Sequence, residues 1–274
     1  MTGTAYGQGP PERVDGGDWV RGSHHRDELA AALVAGGIAG PVTSHDRADV
    51  AWRIARLADG DHDLQLGLRE LGVLSRQDVL AAVAAEAGFD PDPRIDSGPT
   101  PIDPFRVLAA WEVAGDRLAL AAAAGERALL ATGHPAGLTL LYQAFGELME
   151  QEGAKLLRPL SGHSWREAGR QRQIRYLHGV AVLSDRGSTV HTHAPGPMEL
   201  LLREVRPDLV VADHGFAGAA IQAGVETISV ADVNDPALVV AKRRGRTEIV
   251  VVMDDNVLPE DYWPCFQAVA ARFP

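Results

Sequence analysis

The sequence predicts an α/β protein with a Rossmann-like, three-layer, mostly parallel sheet in its C-terminal half and a mainly helical N-terminal part. Two observations support this fold class. After residue 125, short apolar runs alternate with turns and helical stretches, an order typical of parallel sheets covered by helices. Before that point, apolar residues recur at helical spacing. We therefore divide the chain into a flexible tail at 1–25, a helical region at 26–124 and a Rossmann-like α/β domain at 125–274.

Composition excludes several classes of protein. The formal net charge of −11 argues against nucleic acid as the main partner, because nucleic-acid-binding proteins carry basic surfaces. No apolar stretch approaches the length of a membrane span, and the polar start lacks the apolar segment of a signal peptide. The single cysteine, Cys265, rules out an intrachain disulfide and fits a reducing cytosol. We expect a cytoplasmic protein without nucleic-acid or membrane partners, and the sequence leaves a homodimer open.

The N-terminal region carries several segments with helical periodicity or a helix-capping residue. We expect helices at 26–36, at 47–57, after the capping residue Ser75, and at 103–124. The proline-rich residues 91–104 form a connecting loop. Little recognisable chemistry lies in this region.

A β–α–β unit begins after Glu126, where the pattern of the chain changes. Residues 127–132 are predicted to form a strand, Gly133-His134-Pro135 a turn, 137–153 a helix, and residue 155 starts the next strand. The two strands should be parallel, with a right-handed crossover between them. The free backbone N–H groups of such a turn, at a helix start, suit an anion such as phosphate.

Residues 162–173 form a polar, basic stretch that we predict to be a loop. Its side chains Arg166 and Arg170 are candidates to bind phosphate, because a guanidinium group matches a phosphate in shape and charge. The alternative is an ordinary solvated surface.

The motif His191-Thr192-His193 ends the second of two apolar runs, 176–183 and 188–193, that Asp185-Arg186-Gly187 joins as a hairpin turn. Side chains alternate along a strand, so both imidazoles of this motif would lie on one face. That arrangement is a common way to present two ligands to one metal ion, although it also occurs by accident.

Three further strands end in polar residues. Because the C-terminal ends of parallel strands share one edge of the sheet, these polar residues should meet there, together with His134. That edge is the candidate active site. The polar segments that follow the strands are Asp213-His214-Gly215, Asp232-Val233-Asn234-Asp235 and Asp254-Asp255-Asn256.

Imidazole and carboxylate groups at one sheet edge indicate a divalent metal ion. Imidazole with carboxylate suits zinc, manganese or iron, whereas carboxylates with an amide suit magnesium, so we expect Mg, Mn or Zn. Acidic and amide residues after a strand also cap helices, and on that interpretation Asn234 caps a helix that begins at Pro236. The candidate metal ligands are His191, His193, Asp213, Asp232 and Asp254.

Several motifs of the C-terminal half occur together as a set. They are Thr132-Gly133-His134-Pro135, His191-Thr192-His193, Asp213-His214-Gly215, Asn234-Asp235-Pro236 and Asp254-Asp255-Asn256. This set resembles a group of actinobacterial proteins that carry the label phosphatase. The resemblance covers about residues 100–262 and implies phosphate-ester hydrolysis.

We therefore predict a metal-assisted phosphomonoesterase, a hydrolase whose partner is a small phosphorylated metabolite. The metal ion would polarise the phosphoryl group. The candidate catalytic residues are His214, His134 and Asp213, and either histidine could protonate the leaving alkoxide. The candidate substrate-binding residues are Gly133, Arg166, Arg170 and Asn234. Two alternatives remain open: a metal-independent Rossmann-like lyase or isomerase that binds a nucleotide or sugar and uses His and Asp as acid and base, and a non-catalytic ligand-binding module.

Overall fold

The computed structural model describes residues 21–274 and shows the α/β fold that the sequence predicts. Most of the predicted flexible tail lies outside the described residues. The helices are α1 Arg26–Ala35, α2 Arg47–Ala58, α3 Arg76–Ala87, α4 Pro104–Ala123, α5 Pro135–Gln151, α6 Gly196–Glu204, α7 His214–Gln222, α8 Pro236–Arg243 and α9 Trp263–Ala270. The strands are β1 Arg127–Thr132, β2 Lys155–Leu156, β3 Ser164–Glu167, β4 Arg170–Leu177, β5 Val180–Asp185, β6 Ser188–Thr189, β7 Leu209–Asp213, β8 Thr227–Ala231 and β9 Ile249–Val252.

One nine-stranded sheet forms within the described residues. Its order is β3-β4-β5-β1-β7-β8-β9, with β2 beside β1 and β6 beside β5. Strands β5, β1, β7, β8 and β9 are mutually parallel, whereas β3, β4 and β6 pair antiparallel with their neighbours. The predicted parallel pairing of β1 with β2 is confirmed by the register Arg127↔Lys155. The C-terminal ends of β1, β7, β8 and β9 therefore share one edge, as the sequence predicts.

The N-terminal helices begin at the capping residues that the sequence supplies. The Ser75 side chain accepts a hydrogen bond from the Asp78 backbone N–H at the start of α3. Asp103 accepts one from the Phe105 N–H at the start of α4, where Pro104 occupies the first turn. These side chains satisfy backbone donors that have no partner inside the helix.

The hydrophobic core runs continuously from the N-terminal helices to the sheet. Trp111 of α4 and Phe145 of α5 are fully buried, and their ring centroids lie 5.2 Å apart. Helix α4 also packs against α9 and β9. The helical region thus lies directly on the α/β part of the chain. Within residues 21–274, no helix has both the length and the apolar character needed to cross a membrane.

The basic stretch at 162–173 is a β-hairpin, so its prediction as a loop was wrong. Strands β3 and β4 pair antiparallel there, and β4 turns at His178 into β5. Most side chains of this hairpin are exposed and only Ile174 of β4 is buried, so it lacks the apolar alternation that marks a half-buried strand. The hairpin turn predicted at Asp185-Arg186-Gly187 is confirmed by the antiparallel pairing of β5 with β6.

Candidate active site

Four histidines converge at the C-terminal edge of the parallel strands, and we call them the histidine cluster. They are His134 after β1, His191 and His193 before α6, and His214 at the start of α7. The ring centroids of His134 and His191 lie 4.6 Å apart, as do those of His193 and His214. His214 is buried and His191 is exposed, so the cluster opens to solvent at His191.

Two glycines allow the segment with His191 and His193 to reach this position. A Cβ atom on Gly133 would lie 2.4 Å from the Thr192 backbone oxygen, and one on Gly215 would lie 2.2 Å from the His193 backbone oxygen. The prediction that His191 and His193 lie on a strand was wrong, because β6 ends at Thr189. Instead, the Thr192 N–H donates to the Gly133 carbonyl at 2.9 Å. The close approach of backbone to backbone therefore requires glycine on both sides.

Asp213 contacts two members of the histidine cluster, His134 and His214. It is fully buried, and its Oδ2 atom accepts hydrogen bonds from the backbone N–H groups of Gly133 and His134 at 2.9 and 3.0 Å. The same oxygen lies 2.7 Å from Nδ1 of His214. This carboxylate is used to orient its neighbours. The sequence predicted that the backbone N–H groups of the Gly133-His134-Pro135 turn bind phosphate. In the structure, those of Gly133 and His134 donate to Asp213 instead.

His214 lies between carboxylates on both ring nitrogens. Its Nε2 atom is 3.3 Å from Oδ2 of Asp235 and 3.8 Å from Oδ2 of Asp255. Burial lowers the pKa of His214, but Asp235 and Asp213 outweigh this effect and raise the pKa to about 10. The backbone of His214 has φ +47°, a conformation that is uncommon for residues with a side chain and that concentrates at functional sites.

His134 and His191 differ in charge. Burial lowers the pKa of His134, but the Asp255 carboxylate, 3.3 Å from His134 Nδ1, more than offsets this and raises it. Burial lowers the pKa of His191 to about 4, and the neighbouring His214 contributes to the same shift. At neutral pH, His191 is therefore an uncharged imidazole beside a histidine that favours its protonated form.

Two groups of side chains within the described residues have ligand atoms close enough to hold one metal ion. They are His134 with His191 and His214, and His193 with His214 and Asp235; the ligand atoms of each group lie within 4.8 Å of one another. Of the predicted ligands, His191 and His193 belong to these groups. The predicted ligands Asp213, Asp232 and Asp254 do not.

The carboxylates of Asp232 and Asp254 bind the N-terminal region instead. Oδ2 of Asp232 lies 3.0 Å from Nε2 of His45, and Oδ1 of Asp254 accepts a hydrogen bond from the Ser44 hydroxyl at 2.9 Å. In each pair of acidic residues after a strand, it is the later one, Asp235 or Asp255, that faces His214. The sequence contains both members of each pair and gives no sign of which one turns inward.

The N-terminal region contributes side chains that sequence reasoning missed. Nδ1 of His45 lies 3.3 Å from Oδ2 of Asp49, and the Asn234 side-chain amide lies 2.9 Å from the same nitrogen. Asn234 does not cap α8, because the N-cap position belongs to Asp235. The only sequence signal for His45 and Asp49 was their spacing of four residues at a helix start, which is too common to identify a site.

Arg166 and Arg170 lie on the β3–β4 hairpin, beyond β5 from the histidine cluster. Both side chains are exposed, and Arg170 lies 3.9 Å from Asp185. In the described part of the chain, neither arginine forms a hydrogen bond or ion pair with the four histidines. The structure does not bring these two predicted phosphate-binding residues to the cluster.

The site lies at the C-terminal edge of a parallel sheet and contains clustered imidazole and carboxylate groups with shifted pKa values. These features place the protein among the α/β proteins that use this edge as an enzyme active site.

A family model described as Phosphatase matches residues 24–273. The chain is 38% identical over 252 residues to Phosphatase SCO2771 of Streptomyces coelicolor, covering 89% of this chain and 94% of that protein. No solved structure matches the chain significantly. The chain belongs to the Phosphatase family, which confirms the predicted family and the predicted hydrolase class.

Proposed function

We propose that the protein is a metal-assisted phosphomonoesterase that acts on a small phosphorylated metabolite. The observation that carries this proposal is the pair of candidate metal groups that share His214. Membership in the Phosphatase family supports the reaction class. Three of the four histidines are buried or partly buried and only His191 is exposed, and groups recessed in this way suit a small phosphate ester better than a protein substrate.

The side chains present fit a divalent ion. His193, His214 and Asp235 supply two imidazoles and one carboxylate, a set that favours zinc or manganese over magnesium. Oδ2 of Asp255 is buried at this edge without a hydrogen-bond partner among the described residues, as expected beside a cation. We assign the ion to this group of three. When bound, it supplies Lewis acidity to the phosphoryl group.

His134 is then free to act as the general acid. Its Nδ1 atom faces Asp255, which leaves Nε2 to carry the proton toward the leaving alkoxide. Its side chain retains 12% exposure, so a substrate oxygen can reach it. Asp213 fixes the His134 backbone and the His214 ring, and we assign it a positioning role.

A metal-independent acid–base enzyme is the second candidate. The observation that favours it is the His214 ring, which meets Asp213 and Asp235 through its two nitrogens, as a protonated histidine would without any ion. The two candidates differ in whether His214 Nε2 binds a proton or a metal.

The test combines metal analysis with activity. The purified full-length protein is analysed for bound metals, and hydrolysis of p-nitrophenyl phosphate is measured before chelation, after chelation, and after return of Zn, Mn or Mg. We expect chelation to abolish hydrolysis and one metal to restore it. His193→Ala should lose both metal and activity, whereas His62→Ala, in an exposed turn, should lose neither. Unchanged hydrolysis by metal-free protein would refute the metal and support the second candidate.

A further inference from the structure

The histidine cluster has little net positive charge to offer a phosphate ester, because three carboxylates offset the proposed divalent ion and the protonated His134. Asp213, Asp235 and Asp255 surround His214 with negative charge. The N–H groups of Gly133 and His134 already donate to Asp213, so they cannot also hold the phosphate. A further cation from another part of the fold would therefore stabilise a doubly charged phosphoryl group at this site.

Helix α2 begins directly over this edge. The residues before it are bound to the ends of β8 and β9: His45 Nε2 lies 3.0 Å from Asp232, and the Ser44 hydroxyl donates to Asp254 at 2.9 Å. Asp46 caps the helix by accepting a hydrogen bond from the Ala48 N–H at 2.8 Å. Residues 44–46 are thus bound to the sheet edge on one side and to the start of α2 on the other. These contacts set the direction of α2 relative to the active site.

One face of α2 carries polar side chains toward the site. His45, Asp49 and Arg53 follow one another at intervals of four residues, which places them in a row along the helix. Oδ2 of Asp49 lies 3.3 Å from His45 Nδ1 and 3.6 Å from Arg53 Nε. His45 joins this row to Asp232 at the end of β8, and the row ends at the guanidinium group of Arg53.

Arg53 is an arginine without a hydrogen-bond partner within residues 21–274. Its side chain is only 24% exposed, and its Nε atom is buried and makes no hydrogen bond. Its helix neighbour Arg56, in contrast, hydrogen-bonds Asp61 and lies over the Trp52 ring. A buried Nε without a hydrogen bond is costly, and the terminal nitrogens of Arg53 make no hydrogen bond within the described residues, so they are available to an anion.

The ion-pair partner of Arg53 is bound to the turn that carries a proposed metal ligand. The Asn234 side-chain amide donates to Oδ2 of Asp49 at 3.4 Å, and the same oxygen lies 3.6 Å from Nε of Arg53. Asn234 directly precedes Asp235, so Asp49 joins Arg53 to the turn that holds the proposed metal group.

We infer that Arg53 binds the phosphoryl oxygens of the substrate, so that the N-terminal helical region completes the substrate site. This inference rests on the proposed phosphomonoesterase activity. The guanidinium donates two hydrogen bonds to the non-bridging oxygens of a phosphate monoester, while Asp49 holds its Nε side. Arg53 thereby replaces Arg166 and Arg170 as the phosphate-binding arginine.

The experiment compares Arg53→Ala and Arg53→Lys with Arg56→Ala as the matched control on the same helix. Binding of inorganic phosphate to each full-length protein is measured by calorimetry, alongside KM and kcat for p-nitrophenyl phosphate. We expect Arg53→Ala to weaken phosphate binding by about 10- to 100-fold and to raise KM more than it lowers kcat. Arg53→Lys should recover part of the affinity, and Arg56→Ala should match the wild type.

The inference and the proposed function fail in different ways. If the wild-type protein binds phosphate and Arg53→Ala binds it equally well, the role of Arg53 is overturned, whatever the activity. If no protein hydrolyses the ester but phosphate binding still depends on Arg53, the anion site stands and the proposed reaction falls. Metal content of Arg53→Ala should equal that of the wild type, which separates loss of phosphate binding from loss of the ion.

Discussion

The imidazole rings of His134 and His191 stack, with centroids 4.6 Å apart and planes inclined by only 7°. Two positively charged rings in this arrangement would repel each other strongly. At most one of the two rings is therefore protonated to the charged imidazolium near neutral pH. Burial lowers the pKa of His191 to about 4, whereas Asp255 raises that of His134 against the effect of burial. The proton therefore resides on His134, the residue that lies nearest the end of β1.

A general-acid role for His134 predicts that its importance grows with the basicity of the leaving group. His134→Gln should slow hydrolysis of phenyl phosphate by about 100-fold or more, because general acid catalysis contributes on that order. The loss should be smaller for p-nitrophenyl phosphate, whose leaving group needs less protonation. Steady-state kcat on both esters checks this, with exposed His163→Gln as the control. Equal losses on the two esters would remove His134 from the acid role.

Metal binding should release protons. His214 has a pKa of about 10 in the metal-free protein, so its Nε2 atom must lose a proton before it can bind an ion. We expect the release of about one proton per metal ion at pH 7.5. Calorimetric titration with zinc in PIPES and in Tris, which differ in ionisation enthalpy, measures this number. A binding enthalpy that is identical in both buffers would show that His214 does not exchange its proton for metal.

The sequence predicted the strand ends of the site well. The apolar runs before Asp213 and Asp232 are short and continuous, which is typical of strands buried on both faces of a parallel sheet. Parallel topology then requires those ends to meet, and His134 and His214 do meet. The catalytic roles assigned to them stay predictions.

The remaining features depend on contacts between distant parts of the chain. The pairing of His45 with Asp232 joins the helical region to β8, and neither residue carries a local signal for it. Arg53 follows Asp49 by four residues, a spacing that is common for solvated arginines on helices. Only the docking of α2 distinguishes Arg53 from Arg56. The choice of Asp235 over Asp232 as a neighbour of His214 depends on the turn after β8. Backbone turns of this kind are not encoded by residue type alone.

The ion pair of His45 and Asp232 should make stability depend on pH. Burial lowers the pKa of His45, but Asp232 outweighs it and raises the pKa to about 9, from 6.5 in the unfolded chain. The folded state therefore keeps a proton that the unfolded state loses. This stabilisation is complete below about pH 6.5 and is lost as the pH rises through about 9.

The measurement is urea unfolding of the chelated protein at several pH values between 6.5 and 9.5. The comparison is with the double variant His45→Gln with Asp232→Asn, since His45→Gln alone would leave a buried carboxylate without its partner. We expect the wild type to lose on the order of 2 kcal/mol more than the double variant across this range. Parallel pH profiles for the two proteins would show that the pair does not titrate as described.

Replacement of Gly215 should disturb the site without touching any group that takes part in the chemistry. An alanine Cβ there would lie 2.2 Å from the His193 carbonyl oxygen, so the segment that carries His191 and His193 must move away from α7. A displacement of about 1 Å at a catalytic site can reduce the rate by about 100-fold, and overpacking of this kind costs about 1–3 kcal/mol. Gly196→Ala is the matched control, because nothing lies within 4 Å of its Cβ and it has no positive φ. We expect Gly215→Ala to lower both metal content and kcat, and Gly196→Ala to change the free energy of unfolding by less than about 0.5 kcal/mol. If Gly215→Ala keeps full metal content and activity, the position of the His191–His193 segment does not depend on its contact with the start of α7, and the close packing seen there has no part in holding the ion.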